Sequence, residues 1–334
     1  MTLPKKLTEN KKIIKIISIV LAVAVVIGIG VAIFSPKNPG KKKNLSGYVV
    51  GYLPYYSSAA ADRIDFSALT HLNVAFANPN DNGVLYLEMS DETIKSVVKK
   101  CHDHDVKAIL SLGGGSISST NYNKIMRGNP QGVTTFNQQI MDFCKRYGFD
   151  GVDVDFEFIA SSPAWEYFED WMAALRTECY KHKLLLTAAV ATWYSDNMSD
   201  EVLQSFDYVM VMAYDNNGDR ENHSKYEYAV SEMQHYEKRG IKKSKLILGV
   251  PFYGYRYTAS GEMDWGSAAS YRKIIADDPS AKNKDNSNGY AYNGRETIRK
   301  KAELSKQYGG IMIWELSQDA DGSQSLLKLI KDTY

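Results

Sequence analysis

Three cysteines in 334 residues, Cys101, Cys144 and Cys179, are too few and odd in number for a disulfide framework. No metal-ligand spacing surrounds them, so buried free thiols are expected. The six histidines (His71, His102, His104, His182, His223, His235) form no zinc pattern either, and His102 and His104, two apart at a predicted helix end, diverge around its axis. All six are expected on the surface or in the core, with no metal and no cofactor. The one glycine cluster, Gly113-Gly114-Gly115, follows the third predicted strand and lacks dinucleotide spacing, which argues against a doubly wound nucleotide-binding sheet. Net positive charge is missing from most of the chain. Residues 1–43 hold nine of the 40 Lys and Arg and a single acid, Glu9, leaving 31 basic against 38 acidic residues and a net of −7. A part that acidic gains nothing from phosphate attraction, so nucleic acid is excluded as a partner and a neutral or cationic one fits better.

What the N-terminus has is one long apolar run. Ile16 to Phe34 is apolar or small apart from Ser18 and, as a helix, would reach roughly 29 Å, close to the hydrocarbon thickness of a bilayer. It shows no polar stripe and no clean small-x-small cleavage site. The five lysines before it favour a cytoplasmic N-terminus, although four more follow the run. The expected organisation is a basic cytoplasmic segment (1–15), a single transmembrane anchor (16–34), a solvated linker (35–46) and an extracellular catalytic domain (47–334). Secretion after cleavage is the alternative.

From Gly47 onward, short apolar runs alternate with helical patterns, as in a parallel α/β sheet. Candidate strands are 47–54, 71–77, 107–113, 151–157, 184–191, 208–214, 246–253 and 310–315. Helices are predicted at 91–104, 133–147, 164–182, 225–239, 295–307 and 323–332. Eight strands with helices between them over about 290 residues predict a (β/α)8 TIM barrel. Two loops are long, 114–131 and 254–293, and loops after strands lie on the catalytic face. The second is expected to carry a small wall element.

The fourth strand holds the most informative segment, Asp150-Gly151-Val152-Asp153-Val154-Asp155-Phe156-Glu157. Alternate residues of a strand share a face, so Asp153, Asp155 and Glu157 point together into the barrel while Val152, Val154 and Phe156 face the helices. Asp150 falls off this alternation and helps begin the strand. Carboxylates that close cannot all ionise, and at least one must hold its proton to unusually high pH, which is what a general acid requires. Glu157, last on the strand, lies nearest the mouth.

This ladder resembles the DxxDxDxE motif of family 18 glycoside hydrolases, the chitinase family, with every acidic position filled. Ser111-Leu112-Gly113-Gly114 is similar to that family's SxGG, Met212-Ala213-Tyr214-Asp215 to its MxYD, and Trp314 to the tryptophan flooring the −1 sugar site. The resemblance spans about residues 47–334. It implies substrate-assisted retaining chemistry, an exception to the usual pair of carboxylates. Glu157 would protonate the glycosidic oxygen, and the sugar's 2-acetamido carbonyl would attack the anomeric carbon. Asp155 would hold the acetamide N–H and share a proton with Asp153, Tyr214 would bond the acetamide oxygen, and Asp215 would fix the −1 sugar. Gly114, Met212 and Trp314 join the implied substrate contacts. Non-proline cis peptides are implied near Ala75-Phe76, Glu157-Phe158 and Trp314-Glu315. The family often has arginine after the seventh strand's Tyr-Gly, where this chain has Tyr255 and then Arg256.

Tyr52, Tyr55, Trp193, Tyr253 and Trp265 are expected at strand ends or mouth loops where rings can stack on sugars, Trp193 and Tyr253 being the chosen pair. The expected substrate is a β-1,4-linked N-acetylglucosamine polymer, chitin or chito-oligosaccharide, cut by an endo-acting monomer. N-glycan cores, peptidoglycan and a non-catalytic sugar-binding role are the alternatives. The last is disfavoured because such relatives usually lose the acid at the position of Glu157.

Overall fold

The computed structural model describes residues 45–157 and 162–334. The predicted basic segment, the anchor at 16–34 and nearly all of the linker lie outside the described residues. Among the described residues no helix is long and apolar enough to cross a membrane.

Eight parallel strands close on themselves. They are β1 (Tyr48–Pro54), β2 (His71–Pro79), β4 (Lys107–Gly113), β5 (Gly151–Asp155), β6 (Leu185–Val190), β7 (Val209–Val211), β8 (Leu246–Pro251) and β13 (Gly310–Trp314). Each pairs with the next, and β1 bonds to both β13 and β2, leaving the barrel without an open edge. A short β3 (Leu85–Leu87) adds antiparallel to the outer end of β2, with Ala77 opposite Leu87. Val- and Leu-rich runs such as Leu246-Ile247-Leu248 are buried outright, as strands covered on both faces must be.

The helices follow from local signals. In α1 (Asp91–Asp103) the Ser90 hydroxyl accepts from Thr93 N–H, Asp91 and Glu92 sit in the first turn, and Ile94, Val97, Val98 and Cys101 form the buried stripe. A short α2 (Ser119–Met126) precedes α3 (Pro130–Tyr147), which begins with the Asn129 side chain on Gly132 N–H and Pro130 in the first turn. It ends at Gly148 in the left-handed conformation. Next come α4 (Trp165–His182), α5 (Thr192–Ser195), α6 (Asp200–Ser205), α7 (Tyr226–Lys238), α8 (Tyr271–Asp277), α9 (Arg295–Ser305) and α10 (Leu326–Thr333). All three cysteines are buried and free, as expected.

The long segment after β8 is more ordered than its composition predicts. It folds into a four-stranded antiparallel sheet of β9 (Tyr253–Tyr257), β10 (Met263–Ser270), β11 (Asn286–Ser287) and β12 (Tyr290–Ala291) in the order β10-β9-β12-β11, with α8 between. The other long loop contains α2.

Candidate active site

The β5 ladder alternates as expected. Val152, Val154 and Phe156 face outward, with Phe156 stacked on Trp171 of α4 at 5.0 Å and edge-on to Tyr122 at 4.5 Å. Asp150 helps start the strand by accepting the Ala108 N–H at 2.9 Å. The strand itself ends at Asp155, two residues short of the expected limit, and Glu157 lies two residues beyond its end.

Asp153 is fully buried and its carboxylate is saturated. Oδ2 accepts from Tyr52 Oη at 2.8 Å and Ser111 Oγ at 2.7 Å, and Oδ1 accepts from Thr187 Oγ1 at 2.8 Å. Burial still raises its pKa, because desolvation outweighs those bonds. The three donors come from β1, β4 and β6, so Asp153 ties three strands to β5.

Asp155 is 3% exposed, and its Oδ1 has no hydrogen-bond partner among the described residues. Burial, then the charges of Glu157 and Asp153, push its pKa well above the carboxylate range. Glu157 is pushed up to about 7, first by burial and then by the charge of Asp215. One oxygen without a partner beside an acid that keeps its proton near neutrality is an arrangement for receiving a donor and giving a proton.

The turn after β4 sets the opposite wall. Gly114 N–H donates to Asp155 O at 2.7 Å, which brings the two backbones together. Gly113 and Gly114 have φ of +108° and +88°, and a Cβ on Gly114 would meet the Phe76 ring at 2.5 Å. Neither turn nor packing admits a side chain. Asn78 locks the same turn, with its amide on Gly113 O at 2.9 Å and its Oδ1 receiving Gly113 N–H at 3.1 Å.

Asp155, Glu157, Met212, Tyr214, Asp215 and Trp314 line one cavity of about 640 Å³. Tyr214 is buried and keeps its proton, because burial and the charge of Asp155 raise its pKa. Trp314 packs on Phe76 at 5.7 Å and on Tyr52 at 5.4 Å. The peptides Ala75-Phe76 and Trp314-Glu315 are cis, and the third expected one involves Phe158, outside the described residues. Tyr55, Tyr56, Asp81, Tyr86 and Glu88 line the same cavity. Its described lining holds five carboxylates and no cation.

Other expected contacts lie elsewhere. Trp193, on α5, is 57% exposed against Tyr194 and does not line this cavity. Tyr253 is buried behind the site, where its hydroxyl donates to Asp215 Oδ1 at 2.7 Å. Tyr52 lies below the mouth on Asp153. Tyr255 is buried edge-on to His223 and Trp265, while Arg256 turns outward over the Tyr290 ring at 4.5 Å. The outer wall residues Asp81, Tyr86 and Glu88 were not foreseen. Alternation in Leu85-Tyr86-Leu87 is the only signal that β3 exists, and three residues are too few to read it.

The model of glycosyl hydrolases family 18 matches residues 48–319. A chitinase from the chitin utilization locus of Flavobacterium johnsoniae is similar at a TM-score of 0.78 and 36% identity, covering 86% of this chain and 93% of that one. A chitinase from Bacteroides thetaiotaomicron gives a TM-score of 0.76 at 30% identity, over 86% of this chain and 96% of its own. Among curated proteins, the probable chitinase 2 of Drosophila melanogaster is 26% identical over 369 residues, spanning 85% of this chain and 72% of that protein.

Proposed function

Because this chain belongs to family 18 of the glycosyl hydrolases, we propose that it hydrolyses β-1,4-linked N-acetylglucosamine chains, chitin or chito-oligosaccharides, by an endo-acting, substrate-assisted retaining mechanism. The observation that carries this reading is the pairing of Glu157, which keeps its proton to about pH 7, with the partnerless Oδ1 of Asp155 in the same cavity. Glu157 protonates the leaving oxygen. Asp155 receives the acetamide N–H of the −1 sugar and turns its carbonyl oxygen onto the anomeric carbon, and Tyr214 donates to that oxygen. Asp153, held by three hydroxyls, stabilises its neighbours without touching substrate. Trp314 offers the sugar a ring face, and Asp215, Met212 and the Gly114 turn shape the pocket around it. As the acetamide closes onto carbon, the positive charge developing on the ring favours the ionised form of Asp155, which then offsets it. The wall of Tyr55, Tyr56 and Tyr86 suits a chain of several sugars rather than one.

The test is to incubate the protein with chito-oligosaccharides, an N-glycan and peptidoglycan side by side and observe the first-formed anomer by NMR. Cleavage of the first with retention supports the reading. An inverted product, a covalent ester on Asp155, or brisk cutting of fully deacetylated chains overturns the mechanism. Binding without turnover would mark a sugar-binding protein.

We further propose that residues 16–34 anchor the protein in the cell membrane by a single pass, with 1–15 cytoplasmic and 47–334 outside, acting as a monomer. The apolar length of the run and its missing cleavage site support this. The protein should sediment with membranes, and a secreted form beginning near residue 35 would refute the anchor.

A further inference from the structure

His223 is completely buried, with Nδ1 3.0 Å from Asp215 Oδ1, the oxygen that also takes the Tyr253 hydroxyl at 2.7 Å. Asp215 has a left-handed backbone, φ 58°, which few residues other than glycine adopt unless their surroundings hold them. The His223 carbonyl accepts Asn216 N–H at 3.0 Å, so residues 215–223 close into a loop tied at both ends. Ser224 anchors that tie. Its hydroxyl donates to Ala213 O at 3.0 Å, and its O and Oγ accept from Lys301 Nζ at 2.8 and 2.7 Å. Lys301, buried on α9, also donates to Asn293 Oδ1 at 2.7 Å.

We propose that His223, anchored through Ser224 by Lys301, is a positioning residue that fixes Asp215 Oδ1 and leaves Oδ2 free to face the cavity. The inference rests on the reading of Glu157 as the acid and Asp215 as its charged neighbour. Asp215 N–H also lies 3.3 Å from the His223 Nδ1, and that nitrogen can serve only one of the two contacts. With Asp215 ionised, a lone pair facing Oδ1 would repel it, so the proton resides on Nδ1. Among the described residues Nε2 has no hydrogen-bond partner to draw the proton away. The groups around the imidazole are the Asp215 carboxylate in front, the Tyr253 and Tyr255 rings at 5.2 and 5.1 Å beside it, and Lys301 behind Ser224. Asp215 is also the charge that, after burial, raises the pKa of Glu157. A loose Asp215 would therefore disturb both the sugar contact and the acid.

Two variants of the full chain separate positioning from packing. In His223→Asn the amide N–H stands where Nδ1–H stood, whereas His223→Leu fills the space without a donor. With an N-acetylglucosamine tetramer as substrate, the asparagine variant should keep kcat within about threefold of the parent, and the leucine variant should lose about tenfold or more with KM little changed. Melting curves establish that both fold. Equal kcat in the two folded variants, whether both near the parent or both reduced, overturns the proposal. If leucine prevents folding, and equally if the parent does not cleave the tetramer and the functional reading fails, NMR of 15N-histidine-labelled protein decides. The signal absent from His223→Asn must show a protonated Nδ1, and an Nδ1 without a proton overturns the assignment.

Discussion

Asp153 and Asp155 share one strand, one face and almost the same burial, yet they are treated oppositely. The deeper carboxylate has three hydroxyl donors from three other strands, while the one nearer the mouth keeps an oxygen for which the described residues supply no donor. A buried acceptor left unpaired is costly, and here the cavity gives a ligand room to relieve it. The barrel is therefore satisfied below and expectant above, and the boundary falls between residues 153 and 155.

The largest test of that boundary lies at the top. Glu157→Gln keeps the shape but has no proton to give, so kcat should fall about 10²–10⁴-fold while oligosaccharide affinity survives. Asp155→Asn should also be severe, with more residual activity. Retention of most turnover by Glu157→Gln would end the assignment of the acid. The same carboxyl makes a stability prediction. Its folded pKa, about 7, lies above its ordinary 4.5, so the native state holds the extra proton between those values and loses stability as pH rises through them. Glu157→Gln should therefore be the more stable protein at pH 8, by on the order of 3 kcal/mol, with the gap closing below pH 4 in denaturant titrations. In the parent, kcat/KM should decline above about pH 7 as the acid deprotonates.

Below the boundary the sign reverses. Asp153→Asn puts an NH₂ group where hydroxyls donate, and should cost about 1–3 kcal/mol of stability. A neutral result would mean that the three-strand tie is unimportant. The smallest effect is expected at the lip. Tyr86 is 49% exposed, and Tyr86→Ala should weaken binding of long oligosaccharides by about 0.5–1.5 kcal/mol and leave the shortest substrates untouched.

The inward carboxylates were legible because a period of two needs no tertiary information, and each barrel strand lies within a few residues of its expected span. Strand ends were less so. β5 stops at Asp155 because the glycine turn bonds that residue's carbonyl, a contact 41 residues away in sequence. The small sheet was hidden by strands of two to eight residues in a polar stretch. The His223–Asp215 pair left no sequence signal, since a histidine in an Asn-His-Ser context gives no hint of burial or of a partner eight positions back. Trp193 fell outside the cavity for a related reason: position after a strand places a residue at the mouth, but the local turn decides which way its ring points.

One contact at the other end of the barrel has a practical consequence. The Ser46 hydroxyl donates to the Tyr334 carbonyl at 3.2 Å, and a Cβ on Gly47 would touch the Tyr334 ring at 2.9 Å. The first described turn and the last residue are therefore neighbours on the side where the strands begin, opposite the cleft. In the fragment from residue 45 onward, a short bridge between them would give a circular permutant, opened at an exposed loop away from the cleft, with the cleft undisturbed. For the same reason, a carrier, a bead or a second enzyme fused after Tyr334 would sit behind the cleft and leave its front open.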